Sequence, residues 1–259
     1  MHLSTNLSMM FGEAPMIQRI GLAAGAGFAS CEIQFPEPAE VSALARESES
    51  HDLPITLINL PRGTGDEVGL AALPGREQDF RAAMDVCAEQ ARTLRAAKTN
   101  ILSGRPPAGA DRDSCMACLT DNLRRAGDLF GAIDVKVMVE PVNPIDVPGF
   151  FLTSLDAALE ALERANHPNL FLQFDFYHMA ITEPDLVAAI KRAAPIIGHV
   201  QFADTPGRHE PGTGTIDFEA ALAALGQTGY DGAVSAEYRP AGDTLAGLGW
   251  MKSFRERMQ

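Results

Sequence analysis

The chain has no apolar run approaching the roughly 20 residues that cross a bilayer, so the sequence offers no helical membrane span. Cysteine is scarce: four in 259 residues do not make a disulfide scaffold in a chain this long. Three of them, Cys31, Cys87 and Cys118, lie in strongly apolar or helical surroundings. The single C-x-x-C, Cys115 to Cys118, lacks a second pair or a nearby histidine. Its spacing puts both thiols on one helical face, and packing is the preferred reading over zinc or redox chemistry. Positive charge is also short: 21 Lys and Arg face 34 Asp and Glu, a net charge of −13. With no basic stripe to offset it, such a field repels polyanions, and neither a nucleic acid nor a membrane is expected as a partner. The amino-terminal residues Met1 to Asn6 show no charged n-region or signal-type apolar stretch, and a cytoplasmic protein is expected.

What the chain does have is apolar content, 46%, arranged as alternating strand-like and helix-like segments. That alternation is the pattern of an α/β fold with a parallel sheet. Eight pairs are legible. Strands are predicted over 2–8, 28–34, 55–59, 99–103, 135–139, 170–174, 196–200 and 232–236. Helices are predicted over 14–26, 41–49, 75–96, 114–130, 154–165, 184–193, 218–227 and 245–257, with Thr182 or Glu183 as the start of the sixth and Thr153 or Ser154 as that of the fifth. A (β/α)8 barrel takes roughly 250 residues, so the chain is read as one TIM-barrel domain over 1–259.

Four of the strands end on an oxygen-bearing side chain: Glu140, Asp175, Gln201 and Glu237, separated by 35, 26 and 36 residues. In a parallel barrel the carboxyl ends of all strands surround one mouth, so these four converge in space. A single glutamate at a strand end is adequately explained as a helix cap or a solvated group. Four such side chains at four successive strand ends are better explained as ligands of a hard divalent cation, Mg²⁺ or Mn²⁺. Coordination positions left free would receive a bidentate substrate.

Around this set, His178 lies three residues past Asp175, where its ring either meets a substrate oxygen or is an ordinary buried histidine. The loop after Gln201 carries Asp204, Arg208 and His209; the guanidinium suits a substrate carboxylate, and a surface salt bridge to Glu210 is the rival. Arg62 and Arg105 follow strand ends and are reserve anion binders or plain loop charges. Gly212-Thr213-Gly214 resembles a fragment of a phosphate cradle but lacks the lysine of a Walker loop, and is read as a turn. His199 shares a strand face with Gln201, either supporting it or simply filling the barrel.

The joint pattern is familiar. Asn6-Leu7-Ser8-Met9-Met10-Phe11-Gly12-Glu13, Asn59-Leu60-Pro61, Pro74-Gly75-Arg76-Glu77, Glu140-Pro141-Val142-Asn143, Asp146-Val147-Pro148-Gly149-Phe150, Phe174-Asp175-Phe176-Tyr177-His178-Met179, Gly207-Arg208-His209-Glu210-Pro211-Gly212-Thr213-Gly214 and Glu237-Tyr238 together resemble the hydroxypyruvate isomerase family, within the xylose isomerase-like barrels. The resemblance implies interconversion of hydroxypyruvate and tartronate semialdehyde through an enediolate. It implies Glu140 and Glu237 as proton acceptor and donor, and a metal held by Glu140, Asp175, Gln201 and Glu237. Two departures stand out: Ile58 occupies the position of a family histidine before Asn-Leu-Pro, and Thr215 that of a commoner glutamate. The first is expected to bear on the substrate. Relatives that isomerise 2-oxo-tetronates or epimerise ketoses at C3 share the motif and stay open as alternatives. An endonuclease IV-like nuclease and a non-catalytic sugar-acid binder are the readings from other classes. Exposed helices leave room for a homo-oligomer.

Overall fold

All eight strand-like segments become parallel strands, each hydrogen-bonded to its two neighbours, and the computed structural model closes in the order β1-β2-β3-β4-β5-β6-β7-β8. It describes residues 1–258. The strands are β1 (His2–Asn6), β2 (Ser30–Ile33), β3 (Ile55–Asn59), β4 (Lys98–Ile101), β5 (Lys136–Val139), β6 (Leu170–Asp175), β7 (Ile197–Phe202) and β8 (Ala233–Ala236). The helices are α1 (Met16–Gly25), α2 (Val41–Ser50), α3 (Glu77–Leu94), α4 (Arg112–Gly131), α5 (Leu155–Ala165), α6 (Phe176–Thr182), α7 (Leu186–Ala193), α8 (Phe218–Gln227) and α9 (Met251–Arg257). Among the described residues no helix is long and apolar enough to cross a membrane.

The helical differences from expectation have local causes. An extra helix, α6, starts directly at the end of β6, because the Asp175 carboxylate accepts the Tyr177 N–H at 2.9 Å and turns the chain without a loop. The expected start at Thr182 or Glu183 moves to Asp185, whose side chain accepts the Ala188 N–H at 2.9 Å. Thr182 is not free to cap, since its hydroxyl donates to the His178 carbonyl. The last helix was expected from Leu245. Instead Asp243 and Thr244 are held in a loop by Ala246 and Glu13, a 3-10 turn covers Leu248–Trp250, and α9 begins only at Met251.

Strand alternation sends one set of side chains outward against the helices, among them Ile33, Ile58, Val139, Leu172, Phe174, Val200 and Phe202, all essentially buried. The other set points into the barrel, and it is unusually polar: Ser4, Asn6, Ser30, Glu32, Asn100, Gln173, His199, Gln201 and Ser235 are each 1% exposed or less. Hydrogen bonds between non-neighbouring strands, such as Glu32 on β2 with His199 and Gln201 on β7, fix this assignment. The pairing register shifts at Cys31/Glu32 and at Leu172/Gln173; irregularities of this kind re-aim side chains beside active sites. Outside the barrel, Phe202, Phe218, Trp250 and Phe254 pack edge-on or tilted at 4.8 to 5.9 Å. The indole N–H of Trp250 donates to the hydroxyl of Tyr238 at 3.0 Å, which ties α9 to the residue following Glu237.

Candidate active site

The four strand-end residues share the carboxyl mouth of the barrel. Glu140 and Glu237 lie one residue past β5 and β8, Asp175 ends β6 and Gln201 lies within β7 directly beside it, in paired register. Their exposures are 5%, 4%, 1% and 1%. Ligand atoms of Glu140, Asp175 and His178 come within 4.8 Å of one another. Gln201 reaches Glu237 instead, its amide nitrogen donating to Glu237 Oε1 at 3.1 Å.

The two glutamates have unequal surroundings. Glu237 Oε1 accepts from the amides of Asn6 (2.8 Å), Gln34 (2.9 Å) and Gln201, while Oε2 accepts from the Arg208 guanidinium at 2.5 Å. Glu140 has one such donor, Asn100 Nδ2 at 2.7 Å on Oε2. Burial pushes both carboxyls up. Glu140 rises well above its ordinary range, helped by the negative charges of Glu237 and Asp175. Glu237 rises to about 7 against the opposing pull of Arg208. Asp175 is pushed to about 6 by the same burial, with Arg208 and the Tyr177 N–H opposing.

His178 is buried against this cluster, Nε2 lying 3.6 Å from Asp175 Oδ2 and 3.9 Å from Glu140 Oε1. Burial and the nearby Arg208 charge hold its pKa well below the ordinary value, so the ring is neutral. The proton can be located. Asn143 Oδ1 accepts the N–H groups of Ile145 and Asp146, so its Nδ2 turns to His178 Nδ1 at 2.7 Å. Nδ1 is thereby the acceptor and Nε2 carries the hydrogen, facing the site as a donor.

Arg208 extends from a left-handed backbone (φ 57°) after Gly207. Its side chain lies over Tyr177, 4.9 Å from the ring centroid, and 3.7 Å from both Asp146 and Asp175. Its Nε is buried without a partner. Glu140, His178, Arg208 and Glu237 border an open cavity of about 560 Å³ lined also by Arg62, Phe35, Asn59, Val142 and Arg239. Arg62 sits at its rim over the Phe35 ring, 5.4 Å away.

Three expectations are corrected. Asp204 is not a substrate contact: its two oxygens accept the backbone N–H groups of Thr205, Gly212, Gly214 and Ile216. The Gly212-Thr213-Gly214 turn is thus a cradle for the chain's own carboxylate. A Cβ at Gly214 would lie 2.3 Å from the Thr205 carbonyl and 2.5 Å from Asp204 Oδ1. His209 likewise turns from the cavity, its Nδ1 donating to the Arg239 carbonyl at 2.6 Å. Ile58 is fully buried on the helix-facing side of β3, so this departure from the family pattern cannot touch a substrate; Asn59 lines the cavity in its place. Arg105 spends its Nε on the Pro148 carbonyl and is a loop residue. The four cysteines are free thiols.

Sequence reading missed Asn6, Gln34 and Asn100, whose amides hold Glu237 and Glu140, Asn143, which holds His178, and Glu32, which accepts from Asn6 and Gln201. Asn6, Glu32 and Asn100 offered one signal, a polar residue at or near the end of a strand, weaker than for Glu140 and Asp175 because β1 and β4 carry other polar residues.

A divalent cation fits these residues. Asp175 Oδ2 is buried with no hydrogen-bond partner, three carboxylates raise one another's charge cost, and the donors are hard oxygens.

A closed eight-stranded barrel with buried carboxylates at its carboxyl mouth defines the class: residues 20–254 match the family model of the xylose isomerase-like TIM barrels. Within that class, the chain belongs to the hydroxypyruvate isomerase family. It is 38% identical to hydroxypyruvate isomerase of Escherichia coli (strain K12), over 98% of this chain and 100% of that one. It is also 38% identical to 2-oxo-tetronate isomerase of Cupriavidus necator, over 98% of each. A crystal structure named AP endonuclease, family 2 from Brucella melitensis superposes with TM-score 0.94 at 37% identity, over 98% of this chain and 99% of that one. D-allulose 3-epimerase from Methylomonas sp. shares the fold, at TM-score 0.82 and 20% identity over 100% and 98%.

Proposed function

We propose that the protein interconverts hydroxypyruvate and tartronate semialdehyde, with a 2-oxo-tetronate as the alternative substrate of the same site. Family membership makes it an isomerase of the aldose–ketose type, an intramolecular oxidoreductase. The observation that carries the finer reading is the pair of buried glutamates with unequal donor sets on one cavity that also contains Arg208.

The chemistry needs a proton taken from C3 of hydroxypyruvate, a proton given to C2, and transfer of the hydroxyl hydrogen from O3 to O2. Glu237, with three amides and a guanidinium stabilising its charge, is suited to accept the carbon-bound proton. Glu140, with a single amide donor on its carboxyl group, is the less restrained of the pair and is suited to deliver a proton to the neighbouring carbon of the enediolate. The reverse direction exchanges these roles. His178 Nε2–H donates toward a substrate oxygen. On substrate entry Arg208 exchanges part of its pairing with Glu237 for the substrate carboxylate, using its free Nε, and Arg62 adds positive charge at the rim. Glu140, Asp175, Gln201 and Glu237 would hold Mg²⁺ or Mn²⁺, which when bound supplies polarisation of the carbonyl and charge stabilisation. The carboxylates themselves are buried, which strengthens each of these interactions.

The test is a panel of hydroxypyruvate, 2-oxo-tetronates and small ketoses assayed with Mg²⁺ and Mn²⁺. The reading predicts highest kcat/KM on a sugar acid and loss of turnover with chelator; a neutral ketose as the preferred substrate would overturn it. A nuclease reading draws on the shared barrel and on the name of the Brucella structure. Against it stand the net charge of −13 and a site whose ligand cluster contains one histidine, and zinc-dependent nicking of plasmid DNA is expected to be absent.

A further inference from the structure

Glu32 is 0% exposed, lies on β2, and has no part in the proposed proton transfers or cation binding. Its Oε1 accepts from Asn6 Nδ2 at 3.1 Å and from Gln201 Nε2 at 2.7 Å. Both of those amide nitrogens also donate to Glu237 Oε1. Two amides therefore bridge two carboxylates, and Glu32 is the fixed end of the bridge.

The orientation of each amide follows. Asn6 Oδ1 accepts the Ser8 N–H at 2.9 Å, leaving Nδ2 for the carboxylates. Gln201 must turn its NH₂ toward Glu32, because an ionised carboxylate only accepts; its oxygen is consequently directed to the Gln173 side, where it receives a 2.6 Å hydrogen bond. That is the side of β6, the strand that ends in Asp175. Glu32 itself is anchored from below. His199 Nε2 donates to Glu32 Oε2 at 2.7 Å, and Lys98 Nζ lies 3.2 Å from His199 Nδ1. An ammonium can only donate, so Nδ1 accepts and Nε2 carries the hydrogen, which fixes the tautomer.

We infer that Glu32 is a positioning residue: through Asn6 and Gln201 it saturates one oxygen of Glu237, leaving Oε2, the atom paired with Arg208, to take the substrate proton, and it turns the Gln201 oxygen toward Gln173. This rests on Glu237 acting as proposed above. A neutral Glu32 would break the arrangement, since a glutamine there presents an NH₂ to at least one group that can only donate. Groups that hold a reacting or ligating side chain in place typically account for roughly 10- to 100-fold in activity or metal affinity.

The experiment compares wild type, Glu32→Gln and Glu237→Gln, measuring kcat and KM on the best substrate of the panel, together with a crystal structure of Glu32→Gln. The expected result is a kcat lowered roughly 10- to 100-fold with KM within about threefold, and an amide of Asn6 or Gln201 rotated away from Glu237 Oε1. Should Glu32→Gln fail to fold, Glu32→Asp, which keeps the charge and withdraws the acceptor by one methylene, tests the same bridge. Loss of activity in Glu237→Gln alone, with Glu32→Gln at wild-type kcat, overturns the positioning role and leaves the function standing. An active Glu237→Gln overturns the assignment on which it rests. Unmoved amides in the crystal structure contradict the inference whatever the turnover.

Discussion

Two buried aspartates in this barrel, Asp175 and Asp204, are each 1% exposed and have opposite surroundings. Asp204 receives four backbone N–H groups and organises the loop after β7. Asp175 receives one, and its Oδ2 has none. A carboxylate saturated by backbone donors has no capacity left for a ligand, whereas one held by a single oxygen keeps the other for a cation or a proton. The difference separates what shapes the loop from what forms the site, and burial alone would not have separated them.

The largest effect that sharpens the contrast is expected at Asp175. Asp175→Asn should lower kcat by about 10²–10³-fold while the metal-free protein melts no lower than wild type, because a buried charge with an orphaned oxygen has been removed. A marked drop in melting temperature would place Asp175 with Asp204. Next comes Asp204→Ala, which orphans four N–H donors and should cost about 2–4 kcal/mol of stability, read by denaturant unfolding, with KM affected through Arg208 on the same loop. Unchanged stability there would break the comparison.

Metal-stripped wild type should show a pH signature of the same asymmetry. Asp175 and Glu237 are raised to about 6 and about 7 in the folded state, so the folded protein binds their protons more tightly than the unfolded chain. Their stabilising contribution is complete below the unfolded value near 4 and is lost as pH rises through about 6 to 7. Thermal melts of the stripped protein should therefore be higher at pH 5 than at pH 8, and Mn²⁺ added at pH 8 should recover the difference. The smallest effect is expected from His209→Ala: about 1 kcal/mol from its hydrogen bond to the Arg239 carbonyl, with kcat close to wild type.

The barrel was legible because strand-like and helix-like segments alternate from end to end, and the convergence of Glu140, Asp175, Gln201 and Glu237 on one mouth followed from parallel topology. The inward-facing polar layer was not. Asn6, Glu32 and Asn100 look like ordinary strand-end polar residues until the barrel closes and places β2 opposite β7. Asp204 misled for a related reason: three of its hydrogen bonds come from backbone N–H groups eight to twelve residues away, which have no side-chain signature, and the glycines that permit them resemble a ligand cradle. Helix α6 was missed because its N-cap is Asp175 itself, a residue already read as a ligand.

The most direct test of the account is proton exchange at the substrate carbon. Hydroxypyruvate incubated with the protein and Mg²⁺ or Mn²⁺ in deuterated water, followed by proton NMR, should lose its C3 proton signal only when the cation is present and form tartronate semialdehyde. The same incubation with Glu140→Gln or Glu237→Gln should show product formation reduced by about 10²-fold or more. Exchange and product formation at wild-type rates in both variants, or metal-dependent binding with no exchange at all from hydroxypyruvate or a 2-oxo-tetronate, would contradict it.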